Sequence, residues 1–378
     1  MNILISGGAG FIGSSLALRL VELGHHVTVL DNLLAQVHGP DAEKSFLYER
    51  IKDKVHFVFG DVTQREDWER CLEAQDIVVH LAAETGTGQS MYKIAHYTSV
   101  NMMGTAELLD ILTNTRDHSV KKVVIASSRA VYGEGKYQTE QGEIVYPESR
   151  RNEDLAKGQF EVLDERNGLP LTPVATDEWS KLHPTSVYGL TKLYQEQLVM
   201  TVCPTIGVAP VVMRYQNVYG PGQSLQNPYT GILSIFSTLI RQGKCINIFE
   251  DGLESRDFVY IDDVVEATIQ AITRADANGR VFNVGSGTPT SVLDVAKTLM
   301  IHYGKEVPLQ VSGDYRLGDI RHNFADLSHS RSVLGYTPKK TFSQGIAGFV
   351  EWVKQQDIDE NGYEQSLTEM SERGLLKR

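Results

Sequence analysis

The chain has little of what would tie it to the exterior of a cell, to a membrane or to a polyanion. Cysteine is scarce. Cys71, Cys203 and Cys245 are odd in number and far apart, so they make neither a disulfide framework nor a metal-ligand spacing, and they fit a reducing cytoplasm. No apolar run approaches the roughly 20 residues that span a bilayer. The apolar N-terminus is broken by Gly7, Gly8, Gly10 and Gly13 and lacks a basic segment, so no secretory signal is expected there. Positive charge is short as well: 36 Lys and Arg stand against 48 Asp and Glu, a formal net charge of −12. General nucleic-acid binding is thereby set aside, although a local basic pocket could still hold one small anion. What is present is 378 residues, 41% hydrophobic and 22% charged, enough to bury a core without staples in one large or two ordinary domains.

Short apolar runs alternate with helical patterns along the first two thirds. Met1 to Ser6, His26 to Leu30, Val55 to Phe59, Ile77 to Leu81, Val123 to Ala126 and Val208 to Arg214 read as buried strands. Phe11 to Leu23, Asp67 to Glu73, Asn101 to Thr113 and Tyr188 to Val199 read as helices between them, the first ended by Gly24. Continuous apolar strands joined by helices are the mark of a parallel sheet covered on both faces. The expected class is therefore α/β: a Rossmann-type doubly wound sheet over 1–215, with an irregular, charged insert at 137–182. A smaller α/β lobe over 216–356 is interleaved with the sheet, with helices at Ile232 to Gln242, Val264 to Arg274 and Val292 to His302 and a strand at Ile246 to Phe249. The polar stretch 357–378 reads as a frayed tail.

Gly7-Gly8-Ala9-Gly10-Phe11-Ile12-Gly13 follows the first strand and opens a helix. In that setting Gly7 permits the tight turn, Gly10 lets the backbone approach a pyrophosphate, and Gly13 allows close helix–strand packing. The helix N-terminus adds amide donors and partial positive charge. Asp31 lies eighteen residues beyond Gly13, at the end of the second strand, where a carboxylate accepts ribose hydroxyls and repels a 2′-phosphate, so NAD is favoured over NADP. Gly60-Asp61-Val62 ends the next strand and offers a carboxylate for an adenine amino group.

Tyr188 and Lys192 are four apart at the start of a helix and so share a face. A tyrosine with its ordinary pKa of about 10 is a poor base at neutral pH, and a neighbouring ammonium lowers that barrier. Ser127-Ser128 closes a separate strand at the carboxyl edge, where ligands of such sheets gather.

Together with His80-Leu81-Ala82-Ala83 and Arg214-Tyr215-Gln216-Asn217-Val218-Tyr219-Gly220-Pro221, these motifs resemble the extended short-chain dehydrogenase/reductases that act on nucleotide sugars, over roughly residues 1–350. The resemblance implies tightly held NAD, Tyr188 as acid/base, Lys192 on the nicotinamide ribose and Ser128 on the sugar hydroxyl. It implies that Phe11, Ile12, Asn32, Val62, Leu81, Ala82, Ala83 and Tyr215 join the glycines, Asp31 and Asp61 around the cofactor. It further implies a homodimer built on two helices, one carrying Tyr188. On the substrate side it assigns Asn217 to a substrate amide contact, and Arg256 and Arg316 to a diphosphate, as bidentate charge-assisted contacts. Asp263, just beyond Arg256, is expected to cap the next helix. His25, His26, His183 and His322 have no metal-like spacing and read as structural or surface residues.

Dehydrating members of the family carry an Asp-Glu pair after the active-site serine or threonine, and decarboxylating members a Glu; here Arg129 and Ala130 stand there. Neither can serve as the missing acid, since guanidinium stays protonated and alanine carries no proton. What remains resembles 4-epimerases such as UDP-galactose 4-epimerase, from which Arg129 departs and so marks a different substrate environment. Glu84 to Met91, the Ser-Ser-Arg motif and the insert are similar to the bacterial 4-epimerases that act on dTDP-L-rhamnose and form dTDP-6-deoxy-L-talose. The expected reaction is thus a redox-neutral 4-epimerisation of a nucleotide-diphosphate sugar. Two other readings stay open: a reductase or dehydrogenase with exchangeable NAD(P)H, and a non-catalytic dinucleotide sensor. The insert is either a lid or specificity loop beside the sugar pocket, or an inert surface addition.

Overall fold

The computed structural model describes residues 1–225, 231–356 and 371–377. Its centre is a seven-stranded parallel sheet: β1 (Asn2–Ser6), β2 (His26–Asp31), β3 (His56–Phe59), β4 (Ile77–His80), β5 (Lys122–Ser128), β6 (Ala209–Tyr215) and β7 (Arg280–Val284), in the spatial order β7-β6-β5-β4-β1-β2-β3. Registers such as Ile3↔Val27 and Ile3↔Ile77 put β2 on one side of β1 and β4 on the other. The winding reverses there, which opens a crevice at the carboxyl edge between the first and fourth strands.

Side chains alternate across the pleat and feed two cores. Ile3, Ile5, Val29, Val79, Val124 and Val211 face the helices Phe11–Glu22 and Ile261–Thr273. Leu4, Leu30, Val78, Val123, Ile125 and Val212 pack with Trp68, Leu108 and Val199 on the other face. Because both faces are covered, the strands read as unbroken apolar runs rather than alternating ones, and so announce themselves in the sequence.

The C-terminal lobe stands at the carboxyl edge of the sheet. Helices Ile232–Gln242, Val292–Tyr303 and Phe342–Lys354 pack with a pair of parallel strands, Ile246–Ile248 and Leu309–Val311, and with the strand Ser255–Tyr260. Ser255–Tyr260 pairs through Phe258–Tyr260 with Asn217–Tyr219, and its Ser255 and Arg256 lie between Pro289–Ser291 on one side and His322–Asn323 on the other. Between these pieces the chain returns to the large sheet as the helix Ile261–Thr273 and β7. Only long-range pairing, Arg280↔Val211 onward, makes β7 a sheet strand.

Three expectations change. Asp263 does not cap its helix, whose N-cap is Tyr260 without a side-chain bond; it is buried and accepts the backbone N–H groups of Lys339 (2.9 Å) and Lys340 (3.3 Å), tying two distant segments together. The insert is not an irregular loop. Tyr137–Gln138, Ile144–Val145 and Thr172–Pro173 form a small antiparallel sheet over a satellite core of Tyr137, Val162 and Leu171. Two-residue strands are too short to show a period, so the sequence hides them. The tail is anchored in its described part: Leu376–Lys377 pairs antiparallel with Tyr315–Arg316, while 357–370 and 378 lie outside the described residues. Among the described residues no helix is long and apolar enough to cross a membrane, and no group of three His, Cys, Asp or Glu stands ready for a metal ion.

Candidate active site

The glycine turn between β1 and its helix is closed where it must be and open where a ligand would come. Gly7 has φ +69°, and a Cβ there would lie 2.6 Å from the Ala82 nitrogen, so the turn rests directly on the Leu81–Ala83 segment. A Cβ on Gly13 would collide with the Gly7 carbonyl oxygen. Gly10, the helix N-cap, would place a Cβ 3.2 Å from that same oxygen and within 4 Å of no other atom, which leaves the approach to the turn clear. Asp31, at the end of β2, accepts the Ala9 amide through Oδ2 and the Leu33 amide through Oδ1, both at 2.9 Å. Each oxygen keeps acceptor capacity for a hydroxyl. Burial pushes this carboxyl up, opposed by those amides and by His38. Asn32 donates to Asp61 Oδ2 at 3.0 Å, and Asp61 Oδ1 also holds the Thr63 amide and hydroxyl at 2.8 Å, so the ends of β2 and β3 form one polar rim. A cradle too tight for a Cβ, a helix N-terminus and a fixed carboxylate fit a dinucleotide.

Tyr188 and Lys192 sit on the helix Val187–Val202, which Ser186 caps by accepting the Gly189 amide at 3.1 Å. Lys192 is buried, and its Nζ donates to the Ala126 carbonyl of β5 at 3.0 Å. Burial pushes its ammonium down to about 7, opposed by Glu196. Burial raises the Tyr188 phenol, while a hydrogen bond from Ser128 and the charge of Arg129 pull the other way. Ser128 and Tyr188, sixty positions apart, therefore meet. Ser127 does not join them: its hydroxyl is bonded to Glu196, which Arg214 grips with two bonds of 2.9 and 2.7 Å. That lock fixes the Tyr188 helix against β5 and β6. Tyr215 turns elsewhere, bonding Thr268 at 2.8 Å.

Beside this pair lies a cavity of about 370 Å³ whose walls include Thr87, Arg129, Asn217, Arg256, Arg316 and Asp319. Tyr188 and Ser128 do not themselves line it, but their neighbours Ser186 and Arg129 do. Arg129 Nε donates to Asn217 Oδ1 at 3.0 Å. Burial and then the nearby Arg256 push the Arg129 guanidinium down to about 10, against Asp319 and Tyr188, so it remains a cation at neutral pH. Arg256 directs its terminal nitrogens at Asp319 Oδ1 (2.8 Å) and at the carbonyls of Ser255, Ile320 and Arg321. Arg316 packs over the Phe249 ring at 4.9 Å, and its buried Nε has no hydrogen-bond partner among the described residues. A buried orphan donor on a cavity wall is costly unless a ligand acceptor completes it. No residue of 137–182 lines the cavity.

Sequence reasoning passed over Asn101. It is fully buried in a wide helical turn, Thr98–Met103, and holds both backbone groups of Glu84 (2.8 and 3.1 Å) together with the Thr191 hydroxyl (2.9 Å). Such π-type turns cluster at functional sites. Ser90, at the end of the short helix Thr87–Ser90, accepts the Tyr188 amide at 3.0 Å. An uncapped polar residue at the start of an apolar helical run was the available signal.

A family model described as the NAD dependent epimerase/dehydratase family matches residues 3–153 and 167–285, and the chain belongs to that family. It is an NAD-dependent enzyme of the nucleotide-sugar epimerase type. The dTDP-L-rhamnose 4-epimerase of Burkholderia thailandensis is 40% identical over 94% of this chain and 95% of its own. Among solved structures, UDP-glucuronic acid 4-epimerase from Bacillus cereus, in complex with UDP-glucuronic acid and NAD, superposes with a TM-score of 0.76 at 26% identity, covering 94% of this chain and 99% of that one. UDP-glucose 4-epimerase from Thermotoga maritima, with UDP-glucose, gives 0.73 at 30% identity over the same shares.

Proposed function

We propose that the enzyme interconverts dTDP-L-rhamnose and dTDP-6-deoxy-L-talose by inverting C4 through a transient 4-keto sugar. The observation that carries this reading is Tyr188 brought to Ser128 beside the cavity, with Lys192 buried one turn further along the same helix, while Arg129 and Ala130 stand where the dehydrating and decarboxylating branches carry their acids. The likeness to a dTDP-L-rhamnose 4-epimerase along nearly the whole chain supports the choice of sugar.

In this reading Gly7, Gly10, Gly13, Asp31 and Asp61 hold the dinucleotide, with Phe11, Ile12, Asn32, Val62, Leu81, Ala82 and Ala83 around it. Bound NAD supplies the capacity to accept and return the C4 hydride, so the reaction has no net redox change. Tyr188 Oη takes the proton of the C4 hydroxyl and later returns it. Lys192 offers a cation close to the phenolate, and Ser128 donates to the same sugar oxygen and holds it in line. Arg129 and Asn217 bound the sugar side, while Arg316, with its orphan Nε, faces the diphosphate. Arg256, expected there too, has its four terminal N–H groups committed to Asp319 and three carbonyls and holds the wall instead.

The same reading places the enzyme in the cytoplasm as a homodimer. Leu190 and Met103 are 55% and 51% exposed on the two helical segments that would pair, and burying them is the favourable term. The test is incubation of the purified protein with a panel of UDP-, GDP- and dTDP-sugars without added cofactor, followed by NMR. Formation of dTDP-6-deoxy-L-talose from dTDP-L-rhamnose is expected. Turnover only with stoichiometric NAD(P)H consumption would overturn the epimerase in favour of a reductase.

A further inference from the structure

The 137–182 insert reaches the substrate cavity without lining it, through charged side chains that run behind the cavity wall. Arg150, 5% exposed, puts both terminal nitrogens on Glu250 at 2.8 Å, one of them also on the Asp319 carbonyl at 2.9 Å, and stands 3.4 Å from Glu134. Glu250 and Asp319 are both wall residues. Asn152 accepts the Tyr315 hydroxyl at 2.9 Å, one residue before Arg316. Glu161 accepts the Arg321 Nε at 2.9 Å, and the fully buried Arg321 also joins Glu250 (2.9 Å) and both oxygens of Asp251 (2.8 Å). The Arg321 amide donates to Glu134 at 2.8 Å. The 315–322 segment, which carries Arg316 and Asp319, is thus held from the cavity side by Arg256 and from behind by three insert residues.

We propose that the insert is a buttress for the anion clamp, with Arg150 as a positioning residue that sets the 315–322 segment, and Arg316 on it, for the substrate diphosphate. This rests on the reading of Arg316 as a diphosphate contact. The physical case is one of restraint. The segment from 312 to 322 contains only the two-residue strands Tyr315–Arg316 and His322–Asn323, so its backbone ladder cannot hold a guanidinium to within a fraction of an ångström. Bidentate charge-assisted bonds from a folded subdomain can. A buried network with this many charge-assisted bonds is stiff, and removing one member leaves further partners unpaired in low dielectric. The family model leaves 154–166 of the insert unmatched, so Glu161, one of the three supports, lies outside the matched residues, while Arg150 and Asn152 lie within them.

The test uses the full-length protein with its cofactor. Arg150→Met is expected to raise the KM for dTDP-L-rhamnose about tenfold and to weaken dTDP binding in calorimetry by the same factor, the size of one lost charge-assisted contact. Its kcat should change by less than about twofold and its NAD content not at all, since ground-state and transition-state binding of the diphosphate fall together. Arg150→Lys should recover part of the affinity. Tyr315→Phe, which deletes one hydroxyl and keeps the ring, should raise the KM about two- to threefold, and it decides the matter if Arg150→Met does not fold. Arg166→Ala is the control: its partners Asp164 and Glu143 both lie in the insert, and the KM should not move. Parental KM and dTDP affinity in Arg150→Met and Tyr315→Phe, or an equal rise in Arg166→Ala, would overturn the buttress. Failure of the parent itself to bind either dTDP or UDP would instead overturn the diphosphate reading beneath it.

Discussion

On the proposed cofactor side of the crevice the fixed points are backbone: a glycine turn, a helix N-terminus and strand ends, with Asp31 held by two amides. On the proposed substrate side they are long charged side chains from segments far apart, Arg129, Arg256, Arg316 and Asp319, held by one another and by the insert. The first kind of site is rigid because the sheet is rigid, and it is written in a few dozen residues. The second exists only when distant segments have folded together, which makes it easier to vary and more sensitive to remote changes. A common cofactor platform with a variable substrate wall is the physical form of one family acting on several sugars.

The sharpest way to break this comparison is at the seam between the halves. Tyr188→Phe should lower turnover about 10³-fold, within the range for loss of a general acid/base, while dTDP-L-rhamnose binding and NAD content stay near parental values. Near-parental turnover, followed by NMR, would remove Tyr188 from its role. On the substrate side, Arg316→Ala should raise the KM by about 10- to 100-fold, the loss of a charge-assisted contact, with NAD content unchanged. A fall in bound NAD instead would mean the two halves are not separable. On the cofactor side, Asp31→Asn should do the converse, weakening NAD retention on gel filtration by about tenfold and leaving dTDP affinity alone.

The smallest effect concerns Lys192. Its folded pKa of about 7 lies below the unfolded value near 10.4. Below about pH 7 both states hold the proton and the folded state bears the full cost of the buried charge. Between about 7 and 10.4 the unfolded chain binds more protons, so stability rises with pH. Lys192→Met should therefore melt a few degrees, on the order of 2–4 °C, above the parent at pH 6, and the gap should shrink towards pH 10. A gap that does not change with pH in differential scanning calorimetry would sink the point.

Much of the cofactor side was legible because its signals are local. A turn that excludes a Cβ demands glycine, and a doubly covered strand demands an apolar run, so Gly7 to Gly13, Asp31 and the first six strands stand out in order. β7 was missed because Arg280–Val284 becomes a sheet strand only by pairing with Ala209–Tyr215. Asp263 was misread as a cap because a carboxylate near a helix start serves equally well as an acceptor for a loop 76 residues away. The insert could be located by its length but not interpreted, since the partners of Arg150 lie at 134, 250 and 319. Ser127 and Ser128 are neighbours of identical chemistry. The pleat alone turns one to Glu196 and the other to Tyr188.

The scarcities of the sequence keep their meaning. Few cysteines, no spanning run and an acidic balance describe the chain as a whole, and the glycine turn, Asp31 and the Tyr188/Lys192 spacing fix what kind of site it can build, because each depends on contacts within a turn or two. Which serine faces the tyrosine, which arginine keeps a donor for an anion, and what the insert supports were decided by tertiary structure alone. Those outcomes depend on partners sixty or more residues apart, and no local pattern carries that information.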